Sequence, residues 1–182
     1  MRIALCIAVL TALGISPSVA ADSDAMAKAA NGFYGVYKTS HPADGVPDAG
    51  VRARYTPYIS SGLSNALASA DAVQAKFSQI NKNAPPLLEG DLFTSNYDGA
   101  TSVQVGACAG DDKAAHCTVN LAFVPNKNLP TGKPLNWTDT AYLVNENGSW
   151  RVDDIGYGGN WDYGNKGRMR DALKMVIQDA GN

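Results

Sequence analysis

The chain has little of what would announce a function. Of its 182 residues only 18% are charged, against about 25% in an average soluble domain. No basic run occurs, so a nucleic-acid partner is not expected. Histidine is nearly missing, with His41 and His116 alone, which leaves little imidazole for metal or acid–base chemistry. No Gly-x-Ser-x-Gly elbow, His-Glu-x-x-His pair or calcium loop is present, and neither a metal nor a cofactor is expected. There is no internal repeat and no low-complexity tract. Long apolar runs are also lacking: the longest, Ile3 to Ile15, is far shorter than the roughly 20 residues that a membrane span requires.

That short run reads instead as a leader. Arg2 precedes it, Pro17 interrupts it, and Ser18-Val19-Ala20 offers the small residues that a signal peptidase reads. Cys6 lies deep inside the run rather than after a cleavage box, which argues against a lipoprotein anchor. The expected organisation is a signal peptide over 1–20 and a single domain over 21–182, periplasmic or secreted. Loss of Arg2 takes the net charge from −2 to −3. Of three cysteines, Cys108 and Cys117 remain in that domain. In an oxidising compartment they read as a disulfide, with two buried free thiols as the alternative.

What is present is clear periodicity. Met26, Ala29, Ala30, Phe33, Tyr34 and Tyr37 fall at helical spacing and predict a helix over about 24–38. Gly32 and Gly35 weaken it unless another element packs close there. A short helix over 51–55 stops at Pro57. A longer one follows, capped by Ser60 or Ser61, with Leu63, Ala66, Leu67, Ala70, Val73, Phe77 and Ile80 on one stripe. After Pro85-Pro86 the period becomes two. Val103 and Val105 alternate with polar residues, as do Cys117, Val119, Leu121 and Phe123, giving an antiparallel hairpin. Simple alternation would place Cys108 and Cys117 on opposite faces, so a disulfide demands a one-residue bulge, best placed at Gly106 or Gly110. Asn147-Gly148 predicts a type I′ hairpin turn that pairs Asn145 with Trp150, Leu143 with Val152, Ala141 with Asp154 and Tyr142 with Asp153. Asp154 would then end the core-facing set, near an opening or a hydrogen-bonding partner. A last helix, capped by Asn165, is expected over 165–180 with Met169, Leu173, Val176 and Ile177 buried. Helices before a strand-rich half, then a final helix, make the class α+β: helices packed on an antiparallel sheet.

Two connectors concentrate acids and rings: "EGDLFTSNYDG" and "DDIGYGGNWDYGN". If both border one mouth, Glu89, Asp91, Tyr97, Asp98, Asp154, Tyr157, Trp161, Asp162 and Tyr163 would form an acidic, aromatic-lined binding site. It would suit a small polar ligand or a protein partner in the cell envelope, with no catalytic residue. The competing reading is bracing, in which Asp91 supports the Gly90 turn and Asp98 the Gly99 turn.

The phrases "YTPYISSGL", "PPLLEGDLFTSNYDGATSVQVG", "WTDTAYLV" and "WRVDDIGYGGNWDYGNKG" together resemble a family of exported bacterial domains of unknown function within the nuclear transport factor 2-like superfamily, over about 33–173. The resemblance implies a curved sheet wrapped around helices into a cone. It implies no reaction, since that superfamily holds isomerases, dehydratases and hydrolases beside subunits that only bind. Its members often dimerise through the sheet, although no exposed apolar stripe here demands a homodimer. The expectation is a non-catalytic binding domain, one version being an inhibitor of a secreted or cell-wall-active enzyme. The alternatives are an isomerase- or hydrolase-type enzyme with Asp154 or Asp91 as general base, and a structural cell-envelope component.

Overall fold

A computed structural model describes residues 22–40, 45–125 and 133–179. The expected leader and its expected cleavage point at Ala20, His41 and residues 126–132 of the long polar loop lie outside the described residues. Helices α1 (Ser23–Ser40), α2 (Ala49–Tyr55) and α3 (Ser61–Ile80) precede strands β1 (Ser102–Gly110), β2 (Ala114–Phe123), β3 (Leu135–Glu146) and β4 (Ser149–Gly156), and α4 (Met169–Asp179) closes the order. The strands form one antiparallel sheet, β1-β2-β3-β4, in an α+β fold.

The first three helices start where their side chains allow. Asp48 accepts from Val51 N at 2.9 Å to cap α2. Ser60, not Ser61, caps α3 by accepting from Leu63 N at 2.8 Å. The α1 stripe is buried as its spacing requires, and the helix crosses the sheet in contact with all four strands. Beneath it, Phe33 meets Tyr34 and Tyr55 at 5.0 Å and Phe93 at 5.2 Å, ring centre to ring centre. Gly32 lets the Tyr58 ring lie directly on α1, since a Cβ there would come within 2.2 Å of it. The α3 stripe is only half used. Leu63, Leu67 and Ala70 are buried, Val73 and Phe77 are partly covered, and Ile80 is 73% exposed because the last turns of α3 run beyond the core.

Register carries two consequences. Between Val105 and Cys108 the β1–β2 ladder shifts by one residue, which sets Cys108 opposite Cys117 with Cα atoms 4.1 Å apart and the disulfide formed. The bulge falls at Gly106-Ala107, one of the two glycine sites expected. Closing this loop stabilises the fold by about 2.5–3 kcal/mol in the chain-entropy picture. In the β3–β4 hairpin, Asn147 (φ 54°) and Gly148 (φ 81°) make the expected turn, and Asn145–Trp150 and Leu143–Val152 pair as expected. A second bulge then intervenes: Tyr142 pairs with Asp154 and Ala141 with Ile155. The expected pairs Ala141–Asp154 and Tyr142–Asp153 do not form. Asp153 is the extra residue, so Ile155 rather than Asp154 turns into the core beside Ala141.

The final helix also departs from expectation. It begins at Met169, four residues after Asn165, so Asn165 is not its cap. The backbone N–H of Arg170 is met from the sheet instead, by Asp154 Oδ1 at 3.0 Å. Leu173 and Met169 are fully buried and Val176 nearly so, as the stripe predicted, whereas Ile177 is only partly covered.

Candidate functional site

The two connectors meet, and the residue that joins them was not among those singled out. Asp139 lies on β3 in phase with the core positions Trp137 and Ala141 and is fully buried. Its Oδ2 accepts from Ser95 N at 2.9 Å and from Trp137 Nε1 at 3.0 Å. Its Oδ1 accepts from Gly158 N at 2.8 Å and from the Ser95 hydroxyl. Four donors occupy the roughly four lone-pair sites of one carboxylate. Ser95 belongs to the first connector and Gly158 to the second, so a single side chain from the sheet fastens both. Ser95 Oγ in turn accepts from Gly159 N at 3.0 Å, and Asn165 N donates to Ser95 O at 2.9 Å.

Asn165 tightens the same seam. Its Nδ2 donates to Asp91 O at 2.6 Å and to Thr94 O at 2.7 Å. The Tyr157 hydroxyl donates to Leu92 O at 2.7 Å, and burial pushes this phenol well above the ordinary tyrosine range. Thr94, Ser95 and Asn96 are all buried polar residues. They stay buried because this stretch has no sheet partner and its polar groups are met by one another and by Asp139.

The predicted site residues therefore divide. Asp91 is buried, accepting from the Tyr37 hydroxyl and from Phe93 N, each at 2.6 Å; it braces the first connector from within. Tyr157 is similarly engaged. Trp161 is partly covered, edge-on to Trp137 at 5.5 Å between ring centres, with Lys166 Nζ 6.0 Å from its own. Asp154 leaves the group altogether. It sits beside Tyr142 on the face away from the core, between the N-terminus of α4 and the Arg168 guanidinium at 3.3 Å, and that guanidinium stacks 3.4 Å from the centre of the Tyr142 ring. Burial raises the pKa of Asp154, and its bonds to Arg170 N, Ile155 N and Arg168 oppose the rise. Asp153 takes the other side of the joint, accepting from Arg170 Nη1 at 2.6 Å and from the Ser60 hydroxyl. The pair thus ties the starts of α3 and α4 to β4.

Glu89, Tyr97, Asp98, Asp162 and Tyr163 remain outward-facing. Tyr97 is 44% exposed and Tyr163 61%. They stand on backbone held by the buried seam: Asp91 N donates to Tyr97 O at 2.8 Å, and Tyr163 is two residues from Asn165. A separate cleft of about 350 Å³ opens on the solvent-facing side of the sheet, lined by Ser102, Gln104, Asn120, Asn136 and Thr138 among others, with no charged side chain. Neither Asp91 nor Asp154 lines it. Among the described residues, no group of three or more His, Cys, Asp or Glu could hold a metal ion, and no helix is long and apolar enough to cross a membrane.

Asp139 was legible in principle. By period two it falls between Trp137 and Ala141 on the face that also carries Leu143. An acid in phase with a core stripe requires several donors, and serine- and glycine-rich connectors are where backbone donors lie unpaired. Comparison with family models, with curated proteins and with solved structures finds no match to this chain.

Proposed function

We propose that this is an exported, non-catalytic binding domain that captures a protein partner with a basic segment through the rim formed by the two connectors. The observation that carries the reading is the contrast between the rim's outside and its inside. Five outward acids and tyrosines are mounted on irregular backbone that Asp139, Ser95 and Asn165 pin beneath them. Such a surface is pre-organised, so binding orders little further chain. Tyrosines supply contact area at low entropic cost, and Glu89, Asp98 and Asp162 set the sign of the partner. Export rests on the leader pattern and agrees with the Cys108–Cys117 disulfide.

The two acids that an isomerase- or hydrolase-type reaction would need are engaged in holding the fold, Asp91 by Tyr37 and backbone, Asp154 by the α4 terminus. That supports binding over chemistry. A second reading, capture of a small uncharged polar ligand, is favoured by the amide- and hydroxyl-lined cleft on the sheet.

The test compares the wild type with a Tyr97→Ala/Tyr163→Ala variant in pull-downs from cell-envelope extract at low and high salt. Loss of a salt-sensitive partner in the variant supports the rim. A Gln104→Ala/Asn120→Ala variant that loses the partner while the tyrosine variant keeps it moves the function to the cleft. Retention by both sinks the proposal.

A further inference from the structure

A groove far from the rim has the lining of a ligand site. It has a volume of about 260 Å³ and lies between the first turns of α1, the Pro57-Tyr58 turn and the start of β4. Ala25 and Ala29 contribute the small side chains that leave it open. Tyr58 and Trp150 contribute aromatic walls, and Ser149 a hydroxyl at the hairpin tip. The Tyr58 wall is held in place, and Trp150 packs partly against the core. The Tyr58 ring is seated on Gly32, and its carbonyl accepts from Val152 N at 2.8 Å, so it rides on the edge of β4. Trp150 is two residues earlier on that strand, paired with Asn145.

The charge of the groove is the second observation. The protein is net negative, yet no acid lines this groove, and Lys28 is the one charged residue that does. Lys28 is exposed, and no ion pair joins it to another described residue. Asp24, one turn earlier on α1, is not part of the lining. Aromatic walls over a small-residue floor select a flat apolar body. A single cation in the lining, with one hydroxyl, selects one negative charge attached to it.

We infer that the groove of Ala25, Lys28, Ala29, Tyr58, Ser149 and Trp150 binds a small aromatic carboxylate, its ring between Tyr58 and Trp150 and its carboxylate at Lys28. The site shares no residue with the rim, so its fate is independent of the proposed partner. For a ligand of a dozen heavy atoms a dissociation constant on the order of 0.1–1 mM is expected. Replacing the carboxylate by a carboxamide weakens binding about 1.5- to fivefold, the range of a largely exposed ion pair.

The experiment titrates the purified protein with 2-naphthoate and with 2-naphthamide by ligand-observed NMR, and repeats both with Lys28→Gln and Ala25→Leu. Both substitutions fall on outward or half-covered positions of α1, and unchanged thermal unfolding confirms that the fold is intact. The inference holds if naphthoate binds, the amide binds more weakly, Lys28→Gln removes that difference and Ala25→Leu abolishes binding. It is overturned if neither probe binds below about 5 mM, well above the affinity expected for a ligand of this size. It is equally overturned if acid and amide bind alike, or if Ala25→Leu leaves binding unchanged, which would place the probe elsewhere.

Discussion

Two regions of this molecule solve the same problem with opposite materials. Under α1 the interior is rings: Phe33, Tyr34, Tyr55 and Phe93, packed edge-on or tilted about 5 Å apart. Between the connectors it is polar, with Asp139, Thr94, Ser95 and Asn96 all buried. The difference follows from the backbone around each. Helix and sheet satisfy their own amides, so apolar side chains can fill the space between them. The connectors have no ladder, and side chains must supply their partners. A stretch dense in Asp, Ser, Asn and Gly therefore resembles a binding site in sequence even where its polar groups are turned inward to serve the fold.

The sharpest way to break this comparison is to remove the polar anchor. Asp139→Ala leaves up to four donors without an acceptor, at about 1–3 kcal/mol for each that stays buried, and a total loss of roughly 4–6 kcal/mol is expected in urea unfolding. Asp139→Asn, which keeps one acceptor oxygen, should lose clearly less. If Asp139→Ala costs no more than about 1 kcal/mol, an average point substitution, the connectors are held by something else. A smaller effect separates the core's own tyrosines. The Tyr37 hydroxyl donates to Asp91 and accepts from Ala100 N at 2.8 Å, so Tyr37→Phe should cost about 1.5–3 kcal/mol, as for bonds to charged groups. The hydroxyls of Tyr34 and Tyr55 are buried with no hydrogen-bond partner among the described residues. Tyr34→Phe should be neutral or should stabilise by up to about 1 kcal/mol, because a desolvated, unpaired group is removed. Equal losses from Tyr37→Phe and Tyr34→Phe would erase the distinction between the two regions.

How far the sequence carries the fold depends on which signal each element obeys. The helices and strand faces follow apolar spacing and are found where it puts them, except that the last turns of α3 run beyond the core. The β1 bulge was legible because two cysteines had to meet across a ladder that otherwise kept them apart. The β4 bulge was not. Asp153 and Asp154 are adjacent acids with nothing local to say which one faces inward, and the choice is made by α3 and α4, through Ser60, Arg168 and Arg170. Asn165 misled for a related reason. An asparagine ahead of a helical stripe resembles a cap, but its amide is drawn 71 and 74 residues back along the chain to Thr94 and Asp91. In the candidate site, the polar and aromatic character of the two connectors was readable from composition, and their meeting was only a condition of that reading. The division into inward and outward members was not, because it is decided by contacts between residues distant in sequence.

The subtlest expected effect tests whether desolvation outweighs the contacts that hold Asp154 between α4 and Arg168. Burial raises its pKa above the usual aspartate value despite the opposing bonds to Arg170 N, Ile155 N and Arg168. An acid whose folded pKa exceeds its unfolded one binds its proton more tightly in the folded state. Its contribution to stability is therefore fully present below the unfolded value and is lost as pH rises through the folded one. The unfolding free energy of the wild type minus that of Asp154→Asn should thus increase as pH falls from neutral into the low carboxylate range. The other acids titrate in both proteins and cancel in the difference. A difference that shrinks on acidification would mean that the Arg168 and α4 contacts outweigh desolvation, holding the folded pKa below the unfolded one. Asp154 would then be an electrostatic clamp on the last helix rather than a tolerated burial.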